Sequence, residues 1–119
     1  MPAAVSMLVA FTFQAKPGKE AEFERLLNNP TGGRAVAKGM GATRNVLFLK
    51  DGRMIRILEF PEGARPGSLG DLAEKDPNLK AFLRTLGPLI QDGFDLEFPG
   101  SLEAFNRRIT FTPAYDVRP

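Results

Sequence analysis

Apolar and polar residues alternate along the opening segment VSMLVAFTFQ. Val5, Met7, Val9, Phe11 and Phe13 fall on one face, with Ser6, Leu8, Ala10, Thr12 and Gln14 on the other. This period of two predicts a first strand over residues 5–14. Lys16-Pro17-Gly18 ends it, and in KEAEFERLLNN the spacing becomes helical, with Ala21, Phe23 or Glu24, Leu26 and Leu27 inside and Lys19, Glu20, Glu22 and Arg25 outside. From Asn28 to Gly41, four glycines and one proline predict an irregular connection with one short helical turn around Arg34 to Lys38. A connection of this length is unusual, and long loops often carry function.

TRNVLFLKDGRMIRILEF contains two β-rich runs joined at Lys50-Asp51-Gly52, which predicts a hairpin. Phe60-Pro61-Glu62-Gly63 breaks the sheet. Helical spacing returns from Ser68 to Leu86 through Leu69, Leu72, Ala73, Leu79, Phe82, Leu83 and Leu86, with Pro77 splitting the stretch and Asp76 placed to cap the second part. Gly87-Pro88 stops that helix. Ser101 to Phe105 reads as a short capped helix, Arg107 to Thr112 as a last strand, and 113–119 as an extended tail.

The order strand, helix, strand, strand, helix, strand is the split βαβ pattern of a ferredoxin-like α+β fold. Helices on one face of a four-stranded antiparallel sheet leave the other face half apolar. Two such sheets packed together would bury it, so a homodimeric α+β barrel is expected. At 119 residues the chain has room for one domain, 1–119, with one core.

Composition narrows the chemistry. With no Cys and no His, zinc, haem and iron–sulfur sites, cysteine nucleophiles and Ser-His-Asp triads are excluded. No metal or cofactor is expected, and any acid or base must be Asp, Glu, Lys, Tyr or water. The absence of disulfides, a secretory pattern and a long apolar run points to the cytoplasm and away from the membrane. Net charge is +2, from 16 basic and 14 acidic residues, scattered rather than gathered, which argues against nucleic acid. Residues 1–60 hold nine basic and five acidic residues, a balance of +4. That suits either a basic pocket for an anionic or enolate ligand or a solvated face.

Several segments carry a resemblance: FTFQAKPGKEAEFERLL, VLFLKDGRMIRILEF, DPNLKAFLRTLGPLI and SLEAFNRRITFTP. Together, over roughly residues 8 to 113, they resemble the SchA/CurD-like proteins of aromatic polyketide and spore-pigment clusters. The likeness extends to tetracenomycin-type polyketide cyclases and antibiotic-biosynthesis monooxygenases. It implies a pocket between sheet and helices for a poly-β-ketone or polycyclic phenol. The expected activity is cyclase or aromatase ring closure, with cofactor-free phenol oxidation or an accessory role in a synthase complex as alternatives and an acyl carrier protein as a candidate partner. Where family members carry His, this chain has the Ile57-to-Phe60 stretch and Asp76-Pro77-Asn78, so no imidazole mechanism transfers.

Arg56 shares its strand face with Met54, Leu58 and Phe60, and Arg44 shares one with Val46 and Phe48. A guanidinium among apolar neighbours stabilises a developing enolate or phenolate; a strand-end arginine can equally reach water or pair with Glu59. Arg56 is therefore the first candidate catalytic residue, with Asn106 and Arg107 beside it. Arg44, Arg108, Phe48, Phe60, Phe82 and Tyr115 are candidate substrate-binding residues. Of Arg107 and Arg108, adjacent on a strand, only one can face a given pocket. Tyr115, the chain's one phenol, reads as a proton donor or a packing lid. Asp76 is explained as a cap, and Asp71 and Glu74 as a wet helix face. Gly39-Met40-Gly41 lacks the strand-before, helix-after setting of a phosphate loop.

Overall fold

The computed structural model describes residues 7–29, 33–63 and 69–117. Strand β1 (Met7–Gln14) is followed by helices α1 (Glu20–Leu27) and α2 (Gly33–Gly39), then by the hairpin β2 (Arg44–Lys50) and β3 (Arg53–Phe60). Helices α3 (Leu69–Lys75), α4 (Pro77–Leu86) and α5 (Ser101–Ile109) precede the two-residue strand β4 (Thr110–Phe111). The sheet is antiparallel in the order β2-β3-β1-β4, the ferredoxin-like arrangement expected from the sequence. Val5, Ser6 and Ser68, assigned above to the starts of elements, lie outside the described residues.

The hairpin turn fixes the register on which the site depends. Asp51 and Gly52 both have positive φ, 49° and 79°, the geometry of a two-residue turn whose twist suits the flanking strands. Lys50 is thereby set opposite Arg53, Leu47 opposite Arg56 and Arg44 opposite Glu59. Since β3 also pairs with β1, placing Phe11 opposite Arg56, the inner face carries Phe11, Phe13, Asn45, Leu47, Leu49, Met54, Arg56 and Leu58.

The helices pack on that face. Phe23 and Leu27 of α1, Leu79, Leu83 and Leu86 of α4, and Leu102 and Phe105 of α5 join Met54 in one core. Within it, the Phe13 ring meets Phe23 edge-on at 5.7 Å and Phe105 at 5.5 Å. Asp76 caps α4 as anticipated, its carboxylate accepting from the backbone N–H groups of Asn78 (3.0 Å) and Leu79 (3.3 Å), with Pro77 in the first helical turn. Close backbone approach requires a glycine just after α4: a Cβ on Gly87 would lie 2.7 Å from the Phe94 carbonyl oxygen.

Two local expectations change. Residues 33–39 form a seven-residue helix, longer than a single turn around Arg34 to Lys38. Residues 106–109 belong to α5 and not to a strand, because Leu102, Phe105 and Ile109 continue one apolar stripe onto the core and leave only Thr110 and Phe111 to pair with β1. That helix begins at Gly100 without a side-chain cap, and the Ser101 hydroxyl accepts from the Asp95 N–H instead. Thr112 to Val117 is exposed and without regular structure. On the outer face of the sheet, Phe48 is 53 % exposed, Ile55 40 % and Phe111 55 %, so no described element covers them. Among the described residues, no helix is long and apolar enough to cross a membrane.

Candidate functional site

Arg56 is the one charged residue buried among the described residues, 8 % exposed in the middle of the inner face. Its Nη1 donates to Asn45 Oδ1 at 2.7 Å. Asn45 lies diagonally across the hairpin, two positions along β2 from Leu47, the residue opposite Arg56. Neither described ion pair involves Arg56: they join Lys80 to Glu74 and Arg84 to Glu97. Burial without a counterion pushes the guanidinium pKa below its ordinary value. Among the described residues, no buried side-chain nitrogen or oxygen lacks a hydrogen-bond partner, so the N–H groups not used by Asn45 reach open space.

Arg56 borders a groove of about 520 Å³ between the ends of α1 and α2 and strand β2. Leu27, Ala37, Leu47 and Leu49 give it an apolar floor, Arg34, Lys38 and Arg56 bring three cations, Arg44 borders it at the start of β2 from an outer-face register position, and none of its lining residues is acidic. Arg34 and Lys38 stand four apart on α2, on the same side of the helix. The volume falls within the usual range for small-ligand sites, about 300–1,000 Å³.

On the other side of Arg56 lies a smaller cavity of about 90 Å³ between sheet and helices, lined by Phe11, Phe13, Met54, Leu58, Phe82, Leu86, Phe105 and Asn106, among others. Leu27, Ala37 and Arg56 line both spaces. A wider crevice of about 880 Å³ separates α1 and α2 from α3 and α4, but its lining includes no buried charged side chain. Among the described residues, no three His, Cys, Asp or Glu side chains are grouped to hold a metal ion.

Of the residues singled out in the sequence, Arg56, Phe82 and Asn106 meet at the small cavity, and Arg44 joins Arg56 at the groove. The others are elsewhere. Phe60 is buried against Ala37 and Leu58 and lines neither space. Phe48 points from the opposite face of the sheet, because the register pairs it with Ile55. Arg107 is exposed on α5, while Arg108 donates to the Asp92 carbonyl at 2.8 Å and stands 5.8 Å over the Phe105 ring. Tyr115 is 82 % exposed and lines neither space. Asn45, Arg34 and Lys38 were not anticipated. Counting outward from a two-residue Asp-Gly turn would have put Leu47 opposite Arg56 and Asn45 on the same face; nothing comparable marks Arg34 or Lys38.

No family model and no curated protein matches the chain. Its fold is similar to two crystal structures of NIPSNAP family proteins from Agrobacterium tumefaciens strain C58. One aligns with a TM-score of 0.56 at 21 % identity, over 76 % of this chain and 82 % of its own. The other, described as of unknown function, aligns with a TM-score of 0.51 at 20 % identity, over 76 % and 83 %. These findings overturn the SchA/CurD-like resemblance and, with it, the assignment to polyketide and antibiotic biosynthesis. The physical reason is that the segments carrying the resemblance are local solutions of the fold. A Pro-Gly turn into a helix, an Asp-Gly hairpin and an Asp-capped helix recur wherever this topology does. At this level of identity the likeness shows the ferredoxin-like architecture alone.

Proposed function

We propose that this protein binds a small organic anion in the groove beside β2, with Arg56 pairing to its negative oxygen and Leu27, Ala37, Leu47 and Leu49 packing against its apolar body. The observation that carries this reading is the buried guanidinium of Arg56, which has no carboxylate partner among the described residues and lies at the junction of a basic groove and an apolar cavity. A cation taken out of water without a counterion is costly to folding, and an anionic ligand supplies what is missing. Arg34 and Lys38 extend the positive field to the rim, which favours anion entry.

The same arrangement stabilises negative charge developing on a bound enolate or phenolate oxygen, the electrostatic half of an enzymatic step. No carboxylate or phenol lines the groove, so proton transfer in such a step would fall to Lys38, to water or to the ligand itself. A chain without cysteine suits a reducing compartment, which supports a cytoplasmic setting. The uncovered apolar side of the sheet supports pairing with a second copy.

The test compares benzoate with benzamide, a neutral isostere, by amide-shift titration of the protein and of Arg56→Met. Benzoate is expected to bind about tenfold more tightly than benzamide to the native chain, a charge-assisted contact of about 1.5 kcal/mol, and equally to the variant. Equal affinity for both compounds in the native chain would remove the proposal.

A further inference from the structure

The groove and the small cavity are two compartments with a common wall. Leu27 from α1, Ala37 from α2 and Arg56 from β3 border both, so a molecule whose oxyanion rests on Arg56 lies against the wall that the cavity shares. The compartments differ in chemistry. The groove is lined by Arg34, Lys38 and Arg56 together with Asn28, Thr43 and Asn45, whereas the cavity offers phenylalanine, methionine and leucine side chains with Asn106 as its other polar lining residue. A cavity with such a lining holds water poorly and gains from hydrocarbon.

We propose, resting on the reading above, that the ligand is a short-chain carboxylate: its carboxylate stays in the basic groove on Arg56 and its hydrocarbon tail passes between Leu27 and Ala37 into the cavity. Size sets the tail. A space of about 90 Å³ takes roughly three water-sized groups, each comparable to a methylene. Chains of three to four carbons beyond the carboxylate fill it. Longer chains meet Phe82, Leu86 and Phe105, which pack as part of the core and do not yield without cost. Phe82, on the half-buried side of α4, is the wall that determines the length accepted.

The experiment is a titration of the full chain with acetate, propanoate, butanoate, pentanoate, hexanoate and octanoate, followed by amide shifts. Each methylene added up to pentanoate should tighten binding about fourfold, roughly 60-fold in all from acetate, because each buries one methylene's worth of apolar surface. Hexanoate and octanoate should gain nothing further. In Phe82→Ala the plateau should move to longer chains. Affinity independent of chain length, alongside benzoate binding that still requires Arg56, would overturn this inference and leave the anion site standing. A rise continuing through octanoate, unaltered by Phe82→Ala, would place the tail in the open groove and likewise overturn it. Failure of every carboxylate and of benzoate to bind in an Arg56-dependent way would overturn both readings.

Discussion

Consider Arg56→Met, which keeps most of the stem's volume and removes the charge. In the native chain this residue is 8 % exposed and has one hydrogen bond, to the neutral amide oxygen of Asn45 at 2.7 Å. Replacing even a well-paired buried ion by apolar residues is often neutral or stabilising by about 1–4 kcal/mol, and Arg56 has no paired charge among the described residues. Its tip still reaches the groove, so the gain belongs at the low end, about 1 kcal/mol. Asn45 is only partly buried and can turn its amide to water once the guanidinium is gone, so little is lost there. For a domain of this size, about 1 kcal/mol corresponds to a rise in Tm of roughly 4 °C.

Calorimetry of the native chain and the variant measures this difference, and pH provides an independent check. Burial lowers the folded-state pKa of Arg56, so the unfolded chain binds more protons only in the alkaline window between the two values. Stability rises with pH through that window, far above neutrality, and is unaffected by this group below it. The Tm difference between native and variant chains should therefore be flat from about pH 6 to 9. A variant melting several degrees below the native chain would refute the reasoning. The guanidinium would then be a net structural support, and its lack of a carboxylate partner would no longer point to a ligand.

Three further outcomes follow from the geometry. Asp76→Ala should cost about 1 kcal/mol by leaving the Asn78 and Leu79 N–H groups without their cap, while Asp76→Asn should cost little, both read by thermal unfolding. Gly87→Ala should lower stability by about 2 kcal/mol or more, since its Cβ would press on the Phe94 carbonyl at 2.7 Å; unchanged melting would show that the segment after α4 yields freely. Sedimentation at micromolar concentration should find a dimer, and Ile55→Asp on the outer sheet face should give a folded monomer; a native monomer would dismiss the pairing of sheets.

The local elements were legible because each rests on short-range physics. Alternation placed β1, the Asp-Gly turn placed the hairpin, and Asp76-Pro77 marked where one helix stops and the next begins. The same short-range signals supported a resemblance that did not hold, since they report topology and not chemistry. The closing segment was misread because NRRIT suits a strand as well as a helix. Burial of Ile109 beside Leu102 and Phe105 decided for the helix and turned Arg107 out to solvent.

What the sequence determined by itself is the order of elements, the ferredoxin-like arrangement that follows from it, and the exclusion of cysteine and histidine chemistry. Only the tertiary structure decided which arginine is buried. β2 is apolar on both faces, with Val46 and Phe48 on one and Leu47 and Leu49 on the other, so pattern alone cannot say which side meets the helices. Pairing across β3 settled that Asn45 and Arg56 share the inner face while Arg44 and Phe48 take the outer one. Arg34 and Lys38 come to the same groove because α2 folds back over the sheet, a contact between residues distant in the chain for which no local signal exists.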